Sequence, residues 1–65
     1  MSAHTSIDDR VHVTPAGWFT VWKLKNSFAV YNDSGIKVGE FAGTSERNRD
    51  MAILSANAIE TKFQR

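Results

Sequence analysis

The stretch WFTVWKLKNSFAVYNDSGIKVGEF, residues 18–41, contains three runs of β-branched and aromatic residues separated by short polar segments. Runs of this kind, bounded by Asn, Asp, Ser and Gly, are typical of β-strands joined by tight turns. Strands are predicted at residues 18–24, 27–31 and 36–41, and a short edge strand at residues 10–13 can precede them. The pattern therefore predicts an antiparallel meander of three or four strands.

The two polar segments between these runs predict how the strands align. Residues 25–26, Lys-Asn, can close a two-residue hairpin because Asn tolerates a positive φ, and this turn pairs Val21 with Val30. Residues 33–35, Asp-Ser-Gly, suit a three-residue loop with its Gly in the left-handed conformation, which pairs Val30 with Val38. The two registers agree on the side to which Val30 points.

The side chains of a strand alternate between its two faces, so the predicted sheet has two faces of different character. The face expected to form the core carries Phe19, Val21, Phe28, Val30, Ile36 and Val38. The other face carries Trp18, Thr20, Trp22, Leu24, Ala29, Tyr31, Lys37 and Phe41. Gly39, inside the last run, indicates a bulge or a close contact with a neighbouring element.

Residues 42–50, AGTSERNRD, mark the change from strand to helix. Thr44 or Ser45 can cap the helix N-terminus, and Glu46 places a negative charge in the first turn, where the helix dipole favours it. No Pro or Gly follows, so the helix is predicted from about residue 45 to residue 62 or beyond. The fold class is therefore α+β, an antiparallel three- to four-stranded meander followed by one C-terminal helix packed on one face.

The apolar residues of this helix fall on two sides. The stripe predicted to pack on the sheet has the spacing i, i+4, i+7, i+11 and consists of Ala52, Ala56, Ile59 and Phe63, flanked by Ile53 and Ser55. A second group on a different side consists of Met51, Leu54 and Ala58. Residues 1–9 are predicted to be a flexible tail, and residues 10–65 a single small α+β domain.

The length and composition exclude several kinds of site. A domain of 65 residues buries only ~60% of its unfolded surface, and it needs good packing, a disulfide, a metal or a partner for stability. No Cys is present, so disulfides, thiolate metal sites and Cys nucleophiles are excluded. His4 and His12 are the only imidazoles, and neither a metal site nor a cofactor is predicted. Good packing or self-association therefore remains as the source of stability, and a homodimer is expected.

The distribution of apolar residues and charge bears on location and partners. No apolar run approaches the about 20 residues that span a bilayer, and the N-terminal MSAHTSIDDR has no apolar segment of a signal peptide. A cytoplasmic protein that does not contact the membrane is expected. The formal net charge of +1 is smaller than the basic excess of most nucleic-acid-binding domains of this size.

No set of side chains in the sequence predicts catalysis. Asp8 and Asp9 are adjacent on the predicted tail and cannot hold a fixed geometry. His12 is interpreted as a histidine at a sheet edge, because no Ser with an obvious partner accompanies it. Arg47 and Arg49 are interpreted as solvated, with phosphate binding at the helix N-terminus as the alternative. The chain is therefore predicted not to be an enzyme.

The aromatic face of the predicted sheet needs a cover or a partner. Because Trp and Tyr are typical interface anchors, a partner protein or a second copy is expected to contact it. The predicted partner-binding residues are Trp18, Trp22, Tyr31, Phe41, Met51 and Leu54. Two alternatives stay open, namely that the N-terminal segment folds back over the aromatic residues or that nucleic-acid bases stack on them. Nucleic-acid binding would use Lys23, Lys25, Lys37, Arg47 and Arg49.

Three segments resemble short proteins that tailed phages and prophages encode. VTPAGW at 13–18 resembles their Thr-Pro-Gly-Pro-Trp opening, YNDSGIKVGEF at 31–41 matches their middle strands, and NRDMAILSANAIE at 48–60 resembles their Ala-rich helix. The positions that match are Thr14, Pro15 and Trp18 in the opening and Ala52, Leu54, Ala56 and Ala58 in the helix. The chain departs from the family where the second Pro of the opening is replaced and where Ile59-Glu60 stands in place of Pro-Glu.

The resemblance implies a phage accessory factor that acts by binding a host machine. The predicted function is accordingly a non-enzymatic phage-type accessory protein that binds and modulates or inhibits a host protein, in host takeover or anti-defence, within the host cytoplasm. The alternatives are a weak nucleic-acid-binding regulator and a self-assembling structural component.

Overall fold

The computed structural model describes residues 9–63. Its elements are the strands β1 (Arg10–Val13), β2 (Phe19–Lys23), β3 (Ser27–Asn32) and β4 (Lys37–Ala42) and the helix α1 (Glu46–Phe63). The strands form one antiparallel sheet in the order β1-β2-β3-β4, and α1 packs against it. The predicted α+β class is confirmed, including the edge strand. Apart from Asp9, the predicted tail lies outside the described residues.

The turn between β2 and β3 has the predicted length and register. Val21 pairs with Val30, and the Leu24 N–H donates to the Ser27 carbonyl at 2.8 Å. The positive φ expected at Asn26 is wrong: among residues 9–63, only glycines have a positive φ. The Asn26 carbonyl accepts a hydrogen bond from the Gly43 N–H at 2.7 Å. This bond ties the turn to the chain that leads into α1.

The turn between β3 and β4 is the predicted three-residue loop. Gly35 has a φ of 82°, a left-handed conformation that other residues rarely adopt, and its N–H donates to the Asn32 carbonyl at 3.0 Å. The Asn32 side-chain oxygen also accepts hydrogen bonds from the N–H groups of Ser34 and Ile36. The loop is therefore held from within by Asn32.

A β-bulge in β4 changes the register beyond this loop. Tyr31 pairs with Lys37, but Val30 pairs with Gly39, so Val38 is an extra residue with no partner in β3. The predicted pairing of Val30 with Val38 is wrong by one residue. Of the two alternatives that Gly39 indicated, a bulge does occur in this strand, at the neighbouring Val38. Because of this shift, Phe41 faces the helix side of the sheet, and its predicted place on the aromatic face is wrong.

The core lies between α1 and the helix side of the sheet. Its buried members are Phe19, Val21, Phe28, Val30, Ala52 and Ala56, and Val11, Phe41, Ile53 and Ile59 pack against them. Ile36 and Val38, which were expected in the core, are exposed because the bulge and the end of the sheet place them beyond the cover of α1. Phe63 is also largely exposed, although its ring lies 6.4 Å from that of Phe19.

Ser45 rather than Thr44 caps the helix N-terminus. The Ser45 side-chain oxygen accepts a hydrogen bond from the Asn48 N–H at 3.2 Å, and its carbonyl accepts the first helical bond from the Arg49 N–H. Gly43 precedes the cap with a φ of 103°, and a Cβ there would lie 2.9 Å from the Asn48 amide nitrogen. Within residues 9–63, no helix is long and apolar enough to cross a membrane.

Candidate functional site

The sheet surface that faces away from α1, called the outer face here, is built from two cross-strand rows. Strand pairing places Trp22, Ala29 and Glu40 side by side in one row, and Thr20, Tyr31 and Lys37 in the other. β1 extends both rows, since Arg10 pairs with Trp22 and Val13 with Thr20. In the part of the chain that the structure describes, no other element packs over this face.

Two aromatic side chains dominate the outer face. Trp22 and Tyr31 are each partly exposed, and the Trp22 Nε1–H donates to the Thr20 hydroxyl at 2.8 Å, which fixes the indole against the sheet. Both line an open depression of about 530 Å³ together with Gly17, Thr20, Asn32, Asp33 and Gly35. Ala29, beside Trp22, is fully buried, so its small side chain forms part of a closed floor.

An ion pair borders the aromatic residues. The Lys37 Nζ lies 2.8 Å from Glu40 Oε1, and the Ser27 hydroxyl donates to Glu40 Oε2 at 2.7 Å. The hydrogen bond to Glu40 raises the pKa of Lys37, and the bonds from Lys37 and Ser27 lower the pKa of Glu40. Residues three apart in a regular strand face opposite ways, so the pair depends on the bulge at Val38. Glu40 therefore neutralises Lys37 on this face.

A buried carboxylate shapes the turn between β1 and β2. Glu60, in the last turns of α1, is only 3% exposed. Its carboxylate accepts hydrogen bonds from the Thr14 hydroxyl, from the Ala16 N–H at 3.0 Å and from the Trp18 N–H at 3.2 Å. The Thr14 hydroxyl in turn accepts a bond from the Phe19 N–H. Glu60 thus holds the turn that leads into the outer face.

Glu60 remains ionised at neutral pH despite its burial. Desolvation raises the pKa of Glu60. The hydrogen bonds that its carboxylate accepts and the nearby His12 together lower it by a larger amount, so the pKa lies below its usual value. His12 is fixed beside it by contact of its Nε2 with the Asn57 side-chain oxygen at 3.0 Å. Sequence reasoning missed Glu60, although its position four residues after Ala56 places it on the buried side of the helix.

The six predicted partner-binding residues do not form one surface. Trp22 and Tyr31 lie together on the outer face. Trp18 lies in the turn that precedes β2 and lines a different groove, beside Phe63. Phe41 packs against the core from the helix side. Met51 and Leu54 are exposed on α1.

Four of the five basic residues named for nucleic-acid binding lie near one end of the fold. The bond between Gly43 and Asn26 brings the β2–β3 turn beside the start of α1. Lys23 ends β2, Lys25 lies in that turn, and Arg47 and Arg49 are in the first turn of the helix. The fifth, Lys37, is paired with Glu40 on the outer face. Four of the five basic residues therefore lie outside the two rows that hold Trp22 and Tyr31, and Lys37 lies beside Tyr31.

The candidate catalytic and metal-binding residues named from the sequence lie apart from one another in the described part of the chain. Residues 9–63 contain no group of three His, Cys, Asp or Glu side chains placed to bind an ion. His12 contacts an amide, and Arg49 contacts Asp50 at 3.5 Å. Asp8, one half of the carboxylate pair considered from the sequence, lies outside the described residues. Comparison with known proteins finds no matching family model, curated protein or solved structure.

Proposed function

We propose that this chain is a non-enzymatic binding protein whose outer face docks a partner protein. The observation that carries the proposal is the pair of aromatic side chains, Trp22 and Tyr31, beside an open depression of about 530 Å³. In protein interfaces a few such aromatic residues contribute most of the binding energy. The helix covers the opposite face, so this sheet surface is available to a partner.

The outer face is preorganised for binding. Trp22 and Tyr31 project from neighbouring strands that hydrogen-bond to each other, and the Thr20 hydroxyl fixes the indole nitrogen of Trp22. Anchors held in place before binding lose little conformational entropy when a partner docks. The flanking ion pair of Lys37 and Glu40 gives the aromatic centre a polar border, which is the usual anatomy of an interface.

The partner is a protein of a phage host, and binding modulates or inhibits it. This part of the proposal is supported by the resemblance of residues 13–60 to phage accessory proteins. The match at Thr14 and Trp18 concerns the turn that Glu60 holds, so the matched residues have a shared structural role in this chain. The site of action is the host cytoplasm.

A pull-down from nuclease-treated bacterial lysate tests the proposal with Trp22→Ala and a matched control, Leu54→Ala. We expect Trp22→Ala to weaken capture of a stoichiometric protein by about tenfold or more, because it removes a central aromatic anchor. Leu54→Ala, which shortens an apolar side chain that is 67% exposed on α1, should leave capture unaltered. Circular dichroism of both variants establishes that the fold is intact. Equal capture by Trp22→Ala, or loss of the fold, would contradict the proposal.

Nucleic-acid binding is less well supported by the geometry. A single-strand binding surface places cationic side chains along a groove with stacking aromatic residues. Here Lys37 is paired with Glu40, and Lys23 alternates to the opposite side of β2 from Trp22. Lys25 lies in the β2–β3 turn, and Arg47 and Arg49 lie in the first turn of α1. Capture that disappears with nuclease and weakens steeply with salt would favour nucleic acid over a protein partner.

A further inference from the structure

A second apolar surface lies at the end of the sheet where α1 terminates. This end cleft, a groove of about 250 Å³, is lined by Trp18, Phe19, Asn32, Asp33, Val38 and Phe63. Three of its apolar side chains are substantially exposed, since Trp18 is 39%, Val38 43% and Phe63 63% accessible. Ile36, which is 60% exposed, adjoins the cleft through its backbone pairing with Asn32. Four of the large exposed apolar side chains are therefore gathered at one end of the domain.

Local structure explains why this apolar group is left uncovered. The bulge places Val38 outside the regular pairing of β4, so its side chain is not drawn into the core. The helix reaches the cleft only with its last described residue, Phe63, whose ring lies over Phe19 at 6.4 Å. Exposed apolar groups of this size on a small domain mark an interaction site.

We propose that the end cleft binds the same cleft of a second copy of this chain, in a two-fold symmetric dimer. The Phe63 ring is 63% exposed and lines the same groove as Trp18 and Val38, so it is accessible to a second copy. In a two-fold pair, each Phe63 enters the groove of the other copy. One contact is thereby made twice.

The charges at the end cleft are self-complementary. Asp33 lines the groove, and Lys62 precedes Phe63 at the exposed end of α1. In the proposed dimer Lys62 of one copy lies against Asp33 of the other, and two-fold symmetry makes this pair twice. Opposite charges at the rim set the register of an interface and exclude wrong partners.

The size of the cleft predicts a reversible dimer. The four exposed apolar side chains present roughly 400 Å² per copy, about half of what each partner contributes to a standard interface. Such an interface is typical of weak association. Burial of this area would add to a small hydrophobic core, whose largest fully buried side chains are Val21 and Val30. Asn32 and Asp33 line both the cleft and the depression of the outer face. Trp22 and Tyr31 line only the depression and Phe63 only the cleft, so variants of these three residues test the two surfaces separately.

Sedimentation equilibrium of the full chain over a wide concentration range tests the dimer. We expect a reversible monomer–dimer equilibrium whose dissociation constant rises about tenfold or more in Phe63→Glu, since the charge would be buried in the groove. Leu54→Glu is the matched control, because Leu54 is 67% exposed on the same helix but outside the cleft. It should leave the equilibrium unchanged.

Charge reversal provides a second readout that does not depend on the apolar core. Asp33→Lys and Lys62→Asp should each weaken the dimer, and the double variant should restore it, because the reversed pair can form again across the two-fold axis. A wild-type chain that is monomeric throughout would overturn the proposal, as would covering of the cleft by residues 1–8 of the same chain. Loss of the dimer in Leu54→Glu but not in Phe63→Glu would overturn it in favour of the helix surface.

Discussion

At the scale of single residues, Glu60 does most to shape the molecule. A buried carboxylate is unfavourable unless hydrogen bonds replace the water it loses. Here the carboxylate accepts bonds from Thr14 and from two backbone N–H groups of the following turn, so both sides of the contact are satisfied. No buried side-chain nitrogen or oxygen in the described part of the chain is without a partner. Helix and turn are thereby joined through one side chain.

Replacing Glu60 by Gln tests how much this contact between α1 and the turn stabilises the protein. The amide offers one acceptor in place of two, so a backbone donor in the turn at Ala16 or Trp18 loses its partner, and we expect a lower urea midpoint at pH 7. Urea unfolding followed by circular dichroism measures the change. Glu46→Gln, an exposed change at the start of α1, should have a smaller effect.

The stability difference between wild type and Glu60→Gln is expected to depend on pH. The folded-state pKa of Glu60 lies below its unfolded value of about 4.3, so the stability it contributes is complete above that value. It is lost as the pH falls through the folded-state pKa. The midpoints of wild type and Glu60→Gln should therefore differ most near neutral pH and converge in acid. A gap that widens in acid would contradict the role assigned to the ionised carboxylate.

At the scale of elements, local signals were sufficient for the lengths of the turns and for the helix start, but not for the backbone conformation of Asn26. The length of the 25–26 turn and the left-handed Gly35 follow from residues adjacent in sequence, and both are confirmed. The bulge at Val38 could be suspected from Gly39 but not placed, because its position depends on pairing with β3. That one-residue shift is why Phe41 was assigned to the wrong face.

The helix cap allows a direct comparison of two neighbouring residues that the sequence left as alternatives. Ser45→Ala removes the acceptor of the Asn48 N–H and should destabilise the protein by about 1 kcal/mol, the usual cost of losing a cap. Thr44→Ala is the matched control and should change stability by less than about 0.5 kcal/mol. Chemical denaturation of both variants gives the two values. A larger loss in Thr44→Ala would assign the cap to Thr44 instead.

At the scale of the whole molecule, the fold is two layers thick, with overall dimensions of 34 × 28 × 16 Å. A single helix covers one side of a four-stranded sheet, so the other side has no cover among residues 9–63. Alternation in the sequence predicted an aromatic second face, and Trp22 and Tyr31 do lie there. The hydrogen-bond partners of Glu60 and the end cleft could not be predicted, because both depend on where the helix ends relative to the sheet.

The central claim is that the outer face binds a partner protein, and site-specific photo-crosslinking in bacterial cells tests it most directly. A benzophenone amino acid is placed at position 31 on the outer face or, as the control, at position 54 on α1. The account predicts one discrete crosslinked product with another protein from position 31 and none from position 54. Absence of a product from position 31, or equal products from the two positions, would contradict it.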